Sequence, residues 1–235
     1  MAHIYEYIRT QGFEPIHFEE HYTHLEALAR KYFLAPLSVE RKELQRLIGE
    51  QLCNDGFSPR NTNAVYVRYN CDGEITIISE DILYNDFSLR ALRPRIFVCR
   101  VSGEPLTDNT SAKEALLEMN HTTAIISEQG VPLWVNEQGE VLAIDGASVI
   151  AVFDNEIRFS RMGGGAEFEI AYNAASKIKK NVTKEEILLS DLTSAKELLY
   201  IDHRGITAIE AYESHHFMDI TASKLAAKTT ENEKR

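Results

Sequence analysis

Basic residues are scarce in this chain of 235: 25 Lys and Arg stand against 36 Asp and Glu, leaving a formal charge of −11. So acidic a surface repels phosphate backbones unless its cations are gathered on one face, and here they are scattered, so no nucleic-acid partner is expected. Cysteine is also sparse. Cys53, Cys71 and Cys99 are odd in number, far apart and without a Cys-x-x-Cys pair, which fits neither a disulfide framework nor a zinc ribbon. All three are expected to be buried, reduced packing residues. Long apolar runs are missing too: the strongest, Ala147 to Phe153, is far too short to span a bilayer. The opening residues Met1 to Tyr7 carry neither a basic n-region nor an apolar h-region. The expectation is a cytosolic protein with no membrane partner.

What the chain does have is core material: 44% hydrophobic residues, with 10 Phe, 10 Tyr and 1 Trp. That is enough for one large or two small globular domains. His3–Arg9 and Phe13–Phe18 read as strands around Gln11-Gly12. Glu19–Leu34 follows as a helix with Tyr22, Leu25, Leu28, Ala29 and Tyr32 at helical spacing. A second helix is predicted from the Pro36–Ser38 boundary with Ser38 as N-cap, through Leu44, Leu47, Ile48 and Leu52. Ala64–Cys71 and Glu74–Ser79 should form a hairpin around Asp72-Gly73. Residues 81–94 read as a connection, crossed once by the chain, between a small α/β domain at 1–90 and a larger one at 91–235.

In the larger part, strands are predicted at 95–101, 131–136, 140–144, 148–153, 156–160, 198–202 and 206–212. A loop is expected at Glu104–Asn109. Helices are predicted at 110–120, from the Gly163-Gly164-Gly165 loop to near Ile178, at 192–197 and at 220–227, with a fraying polar tail from Lys228.

Three motifs carry possible chemistry. His17-Phe18-Glu19-Glu20-His21 matches the His-x-x-Glu-His pattern of inverted zinc peptidases, which needs both histidines on one helix. Pro15 and the extended reading of Ile16–Phe18 put His17 before the helix, so the match is expected to be accidental, and no metal site is predicted. Gly163–Gly165 before a helix could cradle a phosphate. It lacks the Lys-[Ser/Thr] of a P-loop, and Glu167 and Glu169 would repel an anion, so a structural turn is the simpler reading. His215, His216 and Asp219 are expected to be solvated histidines and the N-cap of the last helix.

The order of segments resembles the class IV aminotransferase family, the fold-type IV pyridoxal-phosphate proteins that include branched-chain and D-amino-acid aminotransferases and aminodeoxychorismate lyase. Ile4-Tyr5-Glu6-Tyr7-Ile8-Arg9 is similar to the family's Phe-Glu-Thr-Ile-Arg-like strand. Phe18-Glu19-Glu20-His21-Tyr22-Thr23-His24-Leu25 is similar to its His-leu-x-Arg-Leu helix. Val65-Tyr66-Val67-Arg68, Gly139-Glu140-Val141, Ser148-Val149-Ile150 and Leu189–Leu198 follow in the family's order. The resemblance implies a two-domain α/β (α+β) fold with pyridoxal 5'-phosphate in the cleft.

It also locates the cofactor residues. The arginine that holds the phosphate corresponds to His24, the glutamate on the pyridinium nitrogen to Ala143, and the asparagine of the Ser-Asn turn to Ser148. The phosphate turn corresponds to Gly163–Glu167, including Gly164 and Gly165. Counting back from Ala143 puts the Schiff-base lysine at Thr110, and Lys113 is the nearest lysine, though Lys113-Glu114 also reads as a solvated pair on an amphipathic helix.

Two functions follow. One is a pyridoxal-phosphate transaminase or lyase acting through Lys113 on an amino acid or aminochorismate-like substrate. The other is a non-catalytic relative serving as a binding or interaction module. The resemblance also implies a homodimer, for which Tyr66, Tyr69 and Tyr84 could supply an apolar surface.

Overall fold

The computed structural model describes residues 2–81, 89, 93–102, 108–127 and 130–233. Tyr84, most of the 81–94 connection and residues 104–107 of the predicted loop lie outside them. The chain divides into two units: Met1–Asp86 with Asp108–Ser111, and Phe87–Thr107 with Ala112–Arg235. The return of 108–111 to the first unit departs from the single crossing expected.

The first unit runs β1 (His3–Gln11), β2 (Glu14–Pro15), α1 (Phe18–Phe33), α2 (Arg41–Asn54), β3 (Thr62–Asn70) and β4 (Ile75–Asp81). Its sheet order is β2-β1-β3-β4, antiparallel throughout. The side-chain period of two puts Ile4, Glu6 and Ile8 on one face of β1. Ile4 and Ile8 join Val65 and Val67 of β3 in a core closed by Phe18, Leu25, Leu28 and Ala29 of α1 and Leu44, Ile48 and Leu52 of α2. Burial of each large aliphatic side chain contributes about 1.5–3 kcal/mol.

Several expectations fail here for identifiable reasons. The predicted strand 13–18 shrinks to two residues because α1 begins at Phe18. Ser38 does not cap α2, which starts three residues later. Its hydroxyl donates to the Gly73 carbonyl and its N–H to the Tyr69 hydroxyl. Tyr66 and Tyr69 are buried rather than exposed: Tyr66 packs against Tyr5 and Tyr7 at 5.5 and 5.0 Å, and Tyr69 against Phe33. Cys53 and Cys71 are exposed and Cys99 is half-buried, so the cysteines are not core residues.

The second unit runs β5 (Ile96–Arg100), α3 (Ser111–Ser127), β6 (Val131–Val135), β7 (Val141–Ile144), β8 (Ser148–Val152), β9 (Glu156–Ser160), α4 (Ala166–Ala175), β10 (Asn181–Glu185), a 3₁₀ turn (Leu189–Thr193), β11 (Glu197–Asp202), β12 (Gly205–Ala208), β13 (Ala211–Tyr212), β14 (His215–His216) and α5 (Ile220–Glu233). Strands β5-β6-β7 form one sheet and β10-β9-β8-β11-β12 another. The apolar run of β8 is buried on both faces. Ile150 and Val152 meet α4 and α5, while Val149 and Ala151 face Leu133, Val135, Val141 and Ile144 of the smaller sheet. Strand β10 was not foreseen in the sequence. The predicted strand 206–212 is divided, the helix predicted at 192–197 is the 3₁₀ turn a few residues earlier, and α5 continues through Lys228 to Glu233 instead of fraying. Among the described residues no helix is long and apolar enough to cross a membrane.

Candidate functional site

A carboxylate in the middle of a core-facing strand must find partners, because burying an uncompensated charge is costly. Glu6, 1% exposed, finds three. Its Oε2 accepts from His21 Nδ1 at 2.8 Å, and its Oε1 from His24 Nδ1 at 2.5 Å and from Asn109 Nδ2 at 3.0 Å. The two histidines lie one turn apart on α1, so both reach the strand beneath. Burial by itself would raise the Glu6 pKa. The charge of His24 and the hydrogen bonds from His21 and His24 outweigh it and hold the carboxyl at about 2. An ionised carboxylate only accepts, so each Nδ1 carries a proton. Sequence reasoning placed His24 at the cofactor phosphate and missed Glu6. The signal was there, since a glutamate flanked by Ile4 and Ile8 at a period of two points into the core.

Around Asp108, next to Asn109, the side chains are tied to α1 as well: Lys31 Nζ and Tyr32 Oη both donate to its Oδ2 at 2.6 Å. Burial opposes ionisation of Asp108, but the bonds from Lys31 and Tyr32 prevail and lower its pKa.

Of the other predicted positions, His17 and Thr110 lie in the first unit and the rest in the second. Lys113 is not a solvated residue: it is 6% exposed, on the stripe of α3 that also carries Leu116, Leu117 and Asn120. It lies over the turn between β7 and β8. At Gly146, with φ +72, an added Cβ would come within 3.1 Å of Lys113 Cε and 2.9 Å of Leu117 Cδ2. Gly146→Ala should therefore cost about 2–3 kcal/mol in urea denaturation, from left-handed strain plus overpacking. A Leu117→Ala background should recover the overpacking share only. The neighbouring Asp145 is paired with His121 of α3 and, at 3.5 Å, with Arg204. Thr110 sits one residue before α3, bridged to Ile4 in the first unit.

Ala143 pairs with Trp134 and is packed with Trp134 and Leu142. The Ser148 hydroxyl is spent on one backbone unit, donating to Gly164 O at 3.1 Å and accepting from Gly164 N–H at 3.2 Å. Gly165 at φ +93 opens α4 without a side-chain cap, and Glu167 and Glu169 occupy its first turn. His17 precedes α1 in a left-handed conformation, φ 52, so His17 and His21 do not share the helix. His215 Nε2 meets the Ala195 carbonyl oxygen at 2.8 Å, and Asp219 pairs with Arg93. The amides that open α5 are taken by Glu197 rather than by Asp219: Thr221 N–H lies 2.7 and 2.8 Å from its two carboxylate oxygens and Ala222 N–H 3.0 Å from one of them.

Against known proteins, no family model and no curated protein sequence matches the chain. Solved structures do match. A putative 4-amino-4-deoxychorismate lyase from Legionella pneumophila superposes with a TM-score of 0.82 at 13% identity, over 98% of this chain and 91% of that one. A branched-chain aminotransferase from Thermoproteus uzoniensis gives 0.80 at 15% identity, over 99% and 84%. The pyridoxal-phosphate-bound form of a hypothetical aminotransferase from Mycobacterium tuberculosis gives 0.76 at 12% identity, over 99% and 90%. The chain has the fold of the fold-type IV aminotransferases.

Its residues do not fit the cofactor that this fold implies. At His24, where the resemblance asks for a phosphate-holding cation, the imidazole is bound to a buried anion. At Ala143 a methyl packed against an indole offers nothing to a pyridinium nitrogen. At Ser148 the hydroxyl already serves the glycine loop. Lys113 alone has the burial expected of a reactive amine.

Proposed function

We propose that this chain is a binding module on the fold-type IV scaffold, with a small amino-acid-like molecule as ligand, rather than a pyridoxal-phosphate transaminase. The observation that carries the proposal is the Glu6 carboxylate bound to His24. With its Nδ1 and its charge engaged by Glu6, His24 is a poor substitute for the arginine that the resemblance asks for. Each missing charge-assisted hydrogen bond to the phosphate removes about 1.5–3 kcal/mol. Together these weaken phosphate binding by orders of magnitude.

The second reading, a pyridoxal-phosphate transaminase or lyase, is favoured by the burial of Lys113 over Gly146. A titration with pyridoxal phosphate, followed by absorbance and by mass spectrometry after borohydride reduction, separates the two. The expected result is no saturable near-visible band and no reduced adduct at micromolar cofactor. A stoichiometric band that disappears in Lys113→Ala overturns the proposal in favour of the second reading.

A further inference from the structure

Strands β5 and β6 run parallel and α3 is the crossover between them, so the helix covers one face of their sheet. Across that face Cys99, Trp134 and Ala143 stand in register, and Leu116 and Leu117 of α3 pack on them. Asn120 follows these leucines by four and three residues, on the same side of the helix. Two groups break the apolar logic of this layer. Asn120 is 6% exposed and Trp134 1%, yet Asn120 Nδ2 and Trp134 Nε1 have no hydrogen-bond partner among the described residues. A buried indole or carboxamide N–H ordinarily finds an acceptor, because an unmatched one costs stability that an apolar side chain of similar shape would keep.

We propose that Asn120 and Trp134 are binding residues of the second unit, whose N–H groups hold the carboxylate oxygens of a small ligand with a short aliphatic tail. Both unmatched groups are donors, so their complement is an acceptor and not an amine. A carboxylate supplies two oxygens, one for each N–H, and as an anion it makes the stronger hydrogen bonds. The rest of the lining, Leu116, Leu117, Ala143 and Met162, is apolar and suits an alkyl tail. Met162 is half-buried, and its unbranched, adaptable side chain yields to an incoming group. The inference rests on the binding-module reading and deepens it, since it assigns the acid end of the amino-acid-like ligand to this layer.

Trp134 is the one tryptophan of the chain, so its fluorescence reports on the site directly. Butanoate and 2-aminobutanoate, titrated into the full chain, should shift that emission saturably, and butylamine should not. By calorimetry, Asn120→Leu and Trp134→Phe should each weaken both acids by about tenfold or more. Asn120→Leu should also melt about 2–4 °C above the parent, because it removes an unmatched buried amide without removing volume. An amide kept only for the fold would give the opposite sign. Binding that both variants leave unchanged, butylamine bound as well as the acids, or a lower melting temperature for Asn120→Leu would overturn the proposal. Failure of both acids to bind would overturn it too, while the reading beneath it is decided separately by the pyridoxal-phosphate titration.

Discussion

Glu6→Gln is expected to unfold roughly 6–12 °C below the parent chain, the equivalent of about 3 kcal/mol for a protein of this size. The amide keeps the shape of the carboxylate but not its charge. One of the two imidazole N–H donors then faces an NH2 group instead of an acceptor, with no water to replace it. The pH dependence identifies the source. The Glu6 carboxyl falls from its ordinary value of 4.5 to about 2 on folding, which is worth about 3 kcal/mol. A depressed carboxylate stabilises the fold fully above its unfolded value and loses that contribution as pH falls through the folded one. The parent and Glu6→Gln should therefore differ by a constant amount above about pH 4.5 and converge between there and about pH 2. Chemical denaturation at a series of pH values measures the gap. A gap that persists undiminished at the acid end would show that the effect comes from packing and not from charge.

Glu197→Ala should cost about 2–4 kcal/mol and loosen α5. The side chain is 4% exposed and receives the Thr221 and Ala222 N–H groups that open the helix. Its negative charge also sits at the positive end of the helix dipole. Alanine leaves those amides buried and unmatched. Hydrogen exchange within 220–229 should rise with the loss of stability. Asp219→Ala, which removes only a partly exposed pair with Arg93, should change stability by less than about 1 kcal/mol. If Asp219→Ala proved the more damaging of the two, the helix would be capped locally, as its sequence position suggests.

The contrast shows where legibility ends. Local chemistry was readable: Asp72-Gly73 announces its hairpin, and the spacing in α1 announces the buried Leu25, Leu28 and Ala29, although Tyr32 at the same spacing ends exposed. Elements whose partners are distant in sequence were not. Ser38 looks like an N-cap until Gly73 and Tyr69, more than thirty residues on, claim its hydroxyl and its N–H. Asp219 looks like a cap until a glutamate 22 residues earlier (219 − 197) takes the amides. Strand β10 is a polar edge strand whose parallel partner, β9, comes before an intervening helix, so no hairpin and no clean alternation marks it. The candidate site divides in the same way. His24, Ala143, Ser148 and the glycine loop could be placed by resemblance. What engages His24, the Glu6 cluster, brings together side chains 15, 18 and 103 residues away from Glu6.

The order in which the chain leaves the ribosome decides when the Glu6 cluster is complete. Strands β1, β3 and β4 and both helices of the first unit are complete once Asp81 has emerged, and their core can close at that point. Until Asn109 follows, Glu6 lacks its amide donor, so the nascent first unit holds the buried carboxylate with His21 and His24 before the amide arrives. The second unit has a longer wait: β8 cannot receive β11 until β9, α4 and β10 have been made, so its larger sheet closes only near the end of synthesis. Synthesis rate and chaperone occupancy over these two stretches should influence the yield of folded protein more than any single contact in the finished core.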